Sequence, residues 1–565
     1  MPAYIGGPVW PELDEGFARR DFPAVLALAE NDTSVDVAER QLVIGICRVM
    51  FHQSEQAVAA LVDCIRTFGG QRPARAAVAA VFLGRLHYFV HDSPSVANGW
   101  FARARRLVED QPECIEHALA ALPLPGCDMI DVTQLHADAT RALTLARRIG
   151  DANLEAKCLA DLGTAQVSRG FVAEGMTFLD EAMAMVLAGE ASSPFAANEV
   201  VCNLLSSCAR VGDLGRADQW TRAADRHLGL GIDEGPAFLY AHCRTNLGLI
   251  LCDVGRWDEA EVTLRLASSR TAPAGPRVDG QVRAALAELW VLQGRLDDAE
   301  RLLAGRHDHQ DCILPLAALH LARGAWLDAA AVARHGIRLM GDDRMRSARL
   351  HTICVEAELA SGHTEQAHAD ADQLAALTAD HALPVLQART QLARGRVAEA
   401  SGEVPDALAA YQAGLRVLAD DDWPLLRAEL HLSLGRLLAH SEAPAAITET
   451  RAAHLIYERL GSPLASQSAT LLNSLGVPAT VRPRRADATS ALSRRESEVL
   501  DLLRDGLSNA DIAARQHNSV RTIEHHVSAI LAKLGLRSRA EAAAYAASLE
   551  TAHKHQPTEP QNSGR

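Results

Sequence analysis

A phrase that recurs seven times, glycine followed five residues later by a small residue, limits this chain to one kind of architecture. It appears as Gly170-FVAE-Gly175, Gly212-DLGR-Ala217, Gly255-RWDE-Ala260 and Gly294-RLDD-Ala299, then as Gly324-AWLD-Ala329, Gly362-HTEQ-Ala367 and Gly402-EVPD-Ala407. Successive first glycines lie 42, 43, 39, 30, 38 and 40 residues apart. Each part has a mechanical meaning. Glycine ends one helix of a pair, acidic residues open the next, and the small residue lets the two helices approach. Leu162-Gly163 and Leu247-Gly248 upstream, with Ala182 and Ala267 downstream, complete the clearest copies. Leu83-Gly84 with Ala97 and Ala104 carries the pattern toward the N-terminus. Stacked helix pairs follow, because one pair alone cannot bury its apolar face.

In this the chain resembles tetratricopeptide repeats, at a spacing mostly longer than that family's ~34 residues. Longer helices or inserted loops are expected to make up the difference. The region is rich in Ala, Leu and Arg and poor in β-branched runs, which favours helix throughout. The expected fold class is all-α: a tetratricopeptide-like α-solenoid over 1–476, followed by a small four-helix domain. A solenoid presents a concave surface by construction, so the array reads as a sensing or interaction domain for a ligand or partner protein.

Residues 492–550 form the small domain. Ser493 and Glu496 make a capping box for a helix carrying Val499, Leu500, Leu502 and Leu503, and Gly506 stops it. Ser508 and Asp511 cap a second, short helix through Ile512, Ala513 and Arg515. Ser519 caps a third that Gly535 ends, and Ser538 with Glu541 opens a fourth through Ala540, Ala543, Ala544 and Ala547. Only Gln516, His517 and Asn518 separate the second helix from the third, the tight connection of a helix-turn-helix. Ile523, Val527, Ile530, Leu531 and Leu534 should point into the core. Arg521, Glu524, His525 and Ser528 lie on the opposite, polar side.

This stretch resembles the DNA-binding domain of LuxR-type transcriptional regulators. The resemblance rests on Leu492-Ser493-x-Arg495-Glu496-x-Glu498-Val499-Leu500 and Gly506-Leu507-Ser508-Asn509-x-x-Ile512-Ala513. It continues through Ser519-x-x-Thr522-Ile523-x-x-His526-Val527 and Lys533-Leu534-Gly535-x-x-Ser538-Arg539-x-Glu541-Ala542. It implies phosphate contacts from Ser519, Arg521, Thr522, His526 and Lys533, base-edge contacts from Glu524, His525 and Ser528, and DNA-facing positions at Ser508 and Asn509. It also implies dimer contacts along the fourth helix and double-stranded DNA as partner, with a homodimer on DNA and RNA polymerase as a further partner. The chain departs from the family at Gln516 and Asn518, where apolar residues are usual.

Charge placement agrees. The net charge is −15, yet residues 481–540 hold 11 Arg and Lys against 7 Asp and Glu, a local excess of +4. One modestly basic module on an acidic body suits a nucleic-acid head on something kept off DNA. Between them, 477–491 reads as a basic, proline-containing linker with Arg482, Arg484 and Arg485, and 551–565 as a disordered tail.

Enzyme chemistry finds no motif. The lysines are Lys157, Lys533 and Lys554, none after a glycine, so a phosphate-binding GxxxxGK[ST] loop is excluded, and with it the ATPase module that large regulators of this type often carry. No HExxH is present, and His307 and His309 read as loop residues, not ligands. No catalytic residue, cofactor or metal is expected. The eleven cysteines lack a CxxC pair and mostly fall in apolar helical patterns, which suggests reduced thiols in a cytoplasmic protein. No membrane span or signal peptide is expected either. The competing reading is a helical-repeat interaction scaffold whose C-terminal helices do not bind DNA.

Overall fold

The computed structural model describes residues 21–479, apart from 52, 127–130, 229–236, 270, 272–274, 307–308, 379–382 and 419–422, and then 494–504 and 507–516. It also describes 15–16 and the positions Thr522, Ile523, His526, Val527, Ile530 and Ala542. Among the described residues every regular element is helical. The chain divides into two compact units, Met1–Pro478 and Ala479–Arg565.

The first unit is a tandem array of helix pairs, as the glycine phrase requires. Among them are Val37–Met50 with Ser54–Phe68, Pro73–Phe89 with Pro94–Val108, Ala152–Ser168 with Val172–Leu187, Ala237–Asp253 with Trp257–Ser268, and Pro384–Ala400 with Val404–Val417. In all seven copies of the phrase the leading glycine is left-handed, with φ from +70° to +96°. The residue after it donates its N–H five residues back, as Phe171 does to Gln166 and Arg256 to Leu251, at 2.8–3.0 Å. That bond closes a helix on a left-handed residue. The alanines that end the phrase, Ala260, Ala299, Ala329, Ala367 and Ala407, are fully buried.

A second regularity extends the array past those seven copies. A glycine in the first helix of a pair faces a side chain about sixteen residues on, in the second: Gly45 against Leu61, Gly84 against Phe101, Gly163 against Leu179, Gly248 against Leu264, Gly395 against Tyr411. A Cβ at any of these positions would overlap its neighbour, so the pairs share one register and one close crossing. The long repeat comes from long helices. First helices such as Ala152–Ser168, Pro276–Leu292 and Arg344–Ala360 each run 17 residues. The short interval of 30 reflects Leu296–Leu303 and Ile313–Ala322, of 8 and 10 residues.

The array also closes on itself. Loop glycines of earlier repeats seat side chains far along the chain: a Cβ on Gly212 would lie 2.8 Å from the Trp423 ring, on Gly255 2.6 Å from Leu460 and 2.8 Å from Pro424, and on Gly294 3.0 Å from Pro463. Arg277 lies 3.9 Å over the Tyr88 ring. The open concave groove expected of a solenoid is therefore partly filled, and pockets partly open to solvent remain between the helices.

First helices also carry charged residues into the interior, and one set of these is closely paired. Lys157, fully buried, lies 2.6 Å from Asp161 and 2.8 Å from Glu199. Asp161 accepts from Asn203 and from the Gly126 N–H, both at 2.8 Å. Arg85 donates to Glu199 at 2.8 Å and to the Pro123 carbonyl. Two cations thus meet two carboxylates, and one network ties four separate segments together. Nine of the ten described cysteines are buried free thiols. Burial pushes those of Cys47 and Cys64 up to about 12, which keeps them unreactive. No described helix is long and apolar enough to cross a membrane.

Candidate nucleic-acid interface

In the second unit the short helix Asn509–Arg515 begins with a reciprocal cap. The Asp511 N–H donates to Ser508 Oγ at 3.2 Å, while the Ser508 N–H and hydroxyl donate to the Asp511 carboxylate at 3.1 and 2.5 Å. Those bonds hold the Asp511 carboxyl below the usual range. Seven residues cannot form a stable helix alone, so the cap and the core fix its start.

The core is the predicted one. Val499, Leu500 and Leu503 of Arg494–Arg504 pack with Ile512 and Ala513 of the capped helix. Ile523, Val527, Ile530 and Ala542 join them, each less than 9% exposed. Steps of four and three between Ile523, Val527 and Ile530 place one helical face against the two preceding helices. An anchored third helix after a short capped one is the framework that presents a recognition helix to the major groove.

Of the residues assigned DNA contacts, Ser508 is exposed, Asn509 is half-buried, and Thr522 and His526 are half-buried beside the core residues Ile523 and Val527. Ser519, Arg521, Glu524, His525, Ser528 and Lys533 lie outside the described residues, as do the caps at Ser493 and Ser538, the stops at Gly506 and Gly535, and Leu531, Leu534 and Asn518. The linker from 480 onward and the 551–565 tail do too. Gln516 keeps its N–H on the Ile512 carbonyl at 2.9 Å, while its buried Oε1 has no hydrogen-bond partner among the described residues.

Sequence reasoning named no residue inside the array, and His309, read as a loop residue, is a buried one whose Nε2 sits 3.0 Å from the Arg277 carbonyl. The signal that marks interior groups is a charge in a helix buried all round. Ala152–Ser168 is such a helix, and Asp253, Glu288, Arg349 and Arg389 stand in first helices of the same kind. Among the described residues no cluster of His, Cys, Asp and Glu is arranged to hold a metal.

The model of the luxR family of bacterial regulatory proteins matches residues 490–546. The response regulator protein VraR of Staphylococcus aureus is 41% identical over 63 residues, which is 11% of this chain and 30% of VraR; the Staphylococcus epidermidis protein of that name matches equally. The chain thus spans about a third of the length of these curated relatives. Among solved structures, the Cut9–Hcn1 hetero-tetramer of APC/C aligns with 94% of the chain and 95% of its own at TM-score 0.40 and 12% identity. The human IFIT1 dimer with m7Gppp-AAAA aligns with 84% and 96% at TM-score 0.36 and 12% identity. Similarities of that size carry no argument about the repeats. The capped short helix, the shared core and the family match agree: residues 490–546 are a LuxR-type helix-turn-helix domain, carried on an all-α chain of tandem helix pairs.

Proposed function

We propose that the protein is a sequence-specific, non-enzymatic transcriptional regulator that binds double-stranded DNA through residues 492–550 and senses a ligand or partner through its helical repeats. The observation that carries this is the match over 490–546 together with the apolar face Ile523–Val527–Ile530 anchored on a capped helix. With that face held, Glu524, His525 and Ser528 read base edges. Ser519, Arg521, Thr522, His526 and Lys533 hold phosphates, and Ser508 and Asn509 approach the backbone from the second helix. Fourth helices pair two copies over paired half-sites, and RNA polymerase is the downstream partner. The setting is the cytoplasm.

Glu524 gives a test. A carboxylate in the groove accepts from cytosine N4 and discriminates by ~1–3 kcal/mol, but otherwise repels phosphate. In competition gel shifts with the full chain, Glu524→Ala should keep non-specific affinity and lose preference at one base position. Unchanged site preference would remove Glu524 from the readout. Equal binding of every duplex by the parent chain would favour the scaffold reading instead.

A further inference from the structure

The repeats form a cavity of about 190 Å³, walled by first helices of six pairs and by Trp423. Most of its charges are paired. Arg349 donates to Glu288. Arg346 and Arg210 share Asp343 at 3.5 and 3.9 Å. Asp311 has only His309 beside it, at 3.7 Å, and two groups of opposite sign face the space from the first helices. Asp253 has no hydrogen bond or ion pair among the described residues, although Arg349, Glu288 and Arg389 all act on it. Among the described residues Arg389 likewise has no carboxylate within ion-pair distance, and its guanidinium lies over the Trp423 ring, at 5.7 Å. Charges in a partly dry cavity are costly without partners, and each of these two is accessible from the same space.

Two further features bear on what fills it. Trp423 has φ +47°, a left-handed conformation that costs an aromatic residue roughly 1–2 kcal/mol and that the fold tolerates at the cavity wall. An adjoining recess of about 100 Å³, lined by Phe82, Leu86, Phe89 and Phe195, is almost wholly apolar. His242 and Gln281 line both spaces, so the two lie side by side in the array.

We propose that this double cavity binds a small zwitterion, a free α-amino acid with an apolar side chain. Its carboxylate meets Arg389, its ammonium meets Asp253, and its side chain passes His242 and Gln281 into the aromatic recess. Opposite unpaired charges in one space select a ligand that carries both, and the recess selects the apolar remainder. The assignment rests on the repeats being the sensing part of the regulator, and it names what they sense.

Calorimetric titration of the full chain with L-leucine and with L-phenylalanine tests it. One or both should bind saturably. 4-Methylpentanoate, which lacks the ammonium, and isoamylamine, which lacks the carboxylate, should bind at least about ten-fold more weakly than leucine. Asp253→Asn, nearly isosteric, and Arg389→Gln should each weaken amino-acid binding about ten-fold or more with the far-ultraviolet dichroism unchanged. Should Arg389→Gln fail to fold, Asp253→Asn carries the same readout. No heat from either amino acid at about 10 mM, or undiminished binding in Asp253→Asn, overturns the proposal. Gel shifts on the same preparation separate the two claims: DNA binding retained without amino-acid binding sinks this assignment alone.

Discussion

Two buried residues illustrate how differently a charge behaves with and without partners. Lys157 is fully buried against Asp161 and Glu199, and removing it leaves Asp161 without a cation and Glu199 with Arg85 alone. Lys157→Met should therefore destabilise the repeat unit by about 3–5 kcal/mol in urea titration. A loss below about 1 kcal/mol would mean the network is not what holds those helices together. Asp253 is the opposite case. Burial first, offset by Arg349 and Arg389 and reinforced by Glu288, raises its carboxyl to about 7. A folded value above the unfolded one means its contribution is fully present below about pH 4 and is lost as pH rises through about 7. Asp253→Asn removes that loss. Its stability gain over the parent should be near zero below about pH 4, grow between there and about pH 7, and level off above about pH 8 at no more than about 4 kcal/mol. A gain independent of pH would show that Asp253 does not titrate in this window. Neither residue was legible in the sequence. Lys157 stood out only as one of three lysines, and Asp253 not at all.

Helix pairs were the legible part, because what defines them is local. A left-handed stop, an acidic first turn and a small residue at the crossing all fall within about ten residues of one another, and the seven copies of the phrase became seven hairpins. The core of the C-terminal domain was legible for the same reason: the three- and four-residue steps through Ile523, Val527 and Ile530 are set by the helix itself. Contacts between distant repeats have no such signature. Nothing local marks that Gly212 will seat Trp423, or Gly255 both Pro424 and Leu460. Gly255→Ala separates the two roles of a loop glycine. It strains a residue at φ +78° and drives a methyl group into Pro424, whose ring cannot turn away. At Gly362, φ +80°, a Cβ meets nothing within 4 Å. Gly362→Ala should cost about 1 kcal/mol from the backbone alone, and Gly255→Ala about 2–3 kcal/mol, by thermal or urea unfolding. Equal costs would mean the contact with the later repeat adds nothing.

At the scale of the whole molecule, an acidic body carries a locally basic end, −15 overall against +4 in residues 481–540. That division concentrates phosphate attraction on the small unit. The cavity escaped sequence analysis because its walls come from helices well separated in the chain, and each charge in it looks unremarkable in its own repeat. The proposed recognition of paired half-sites by the C-terminal domain is the central claim. Selection of bound duplexes from a random library by the full chain, followed by affinity measurement at fixed salt, tests it most directly. A shared motif should emerge with two related half-sites, bound about a thousand-fold or more above random sequence. No enriched motif, with selected and random duplexes bound alike, would contradict it.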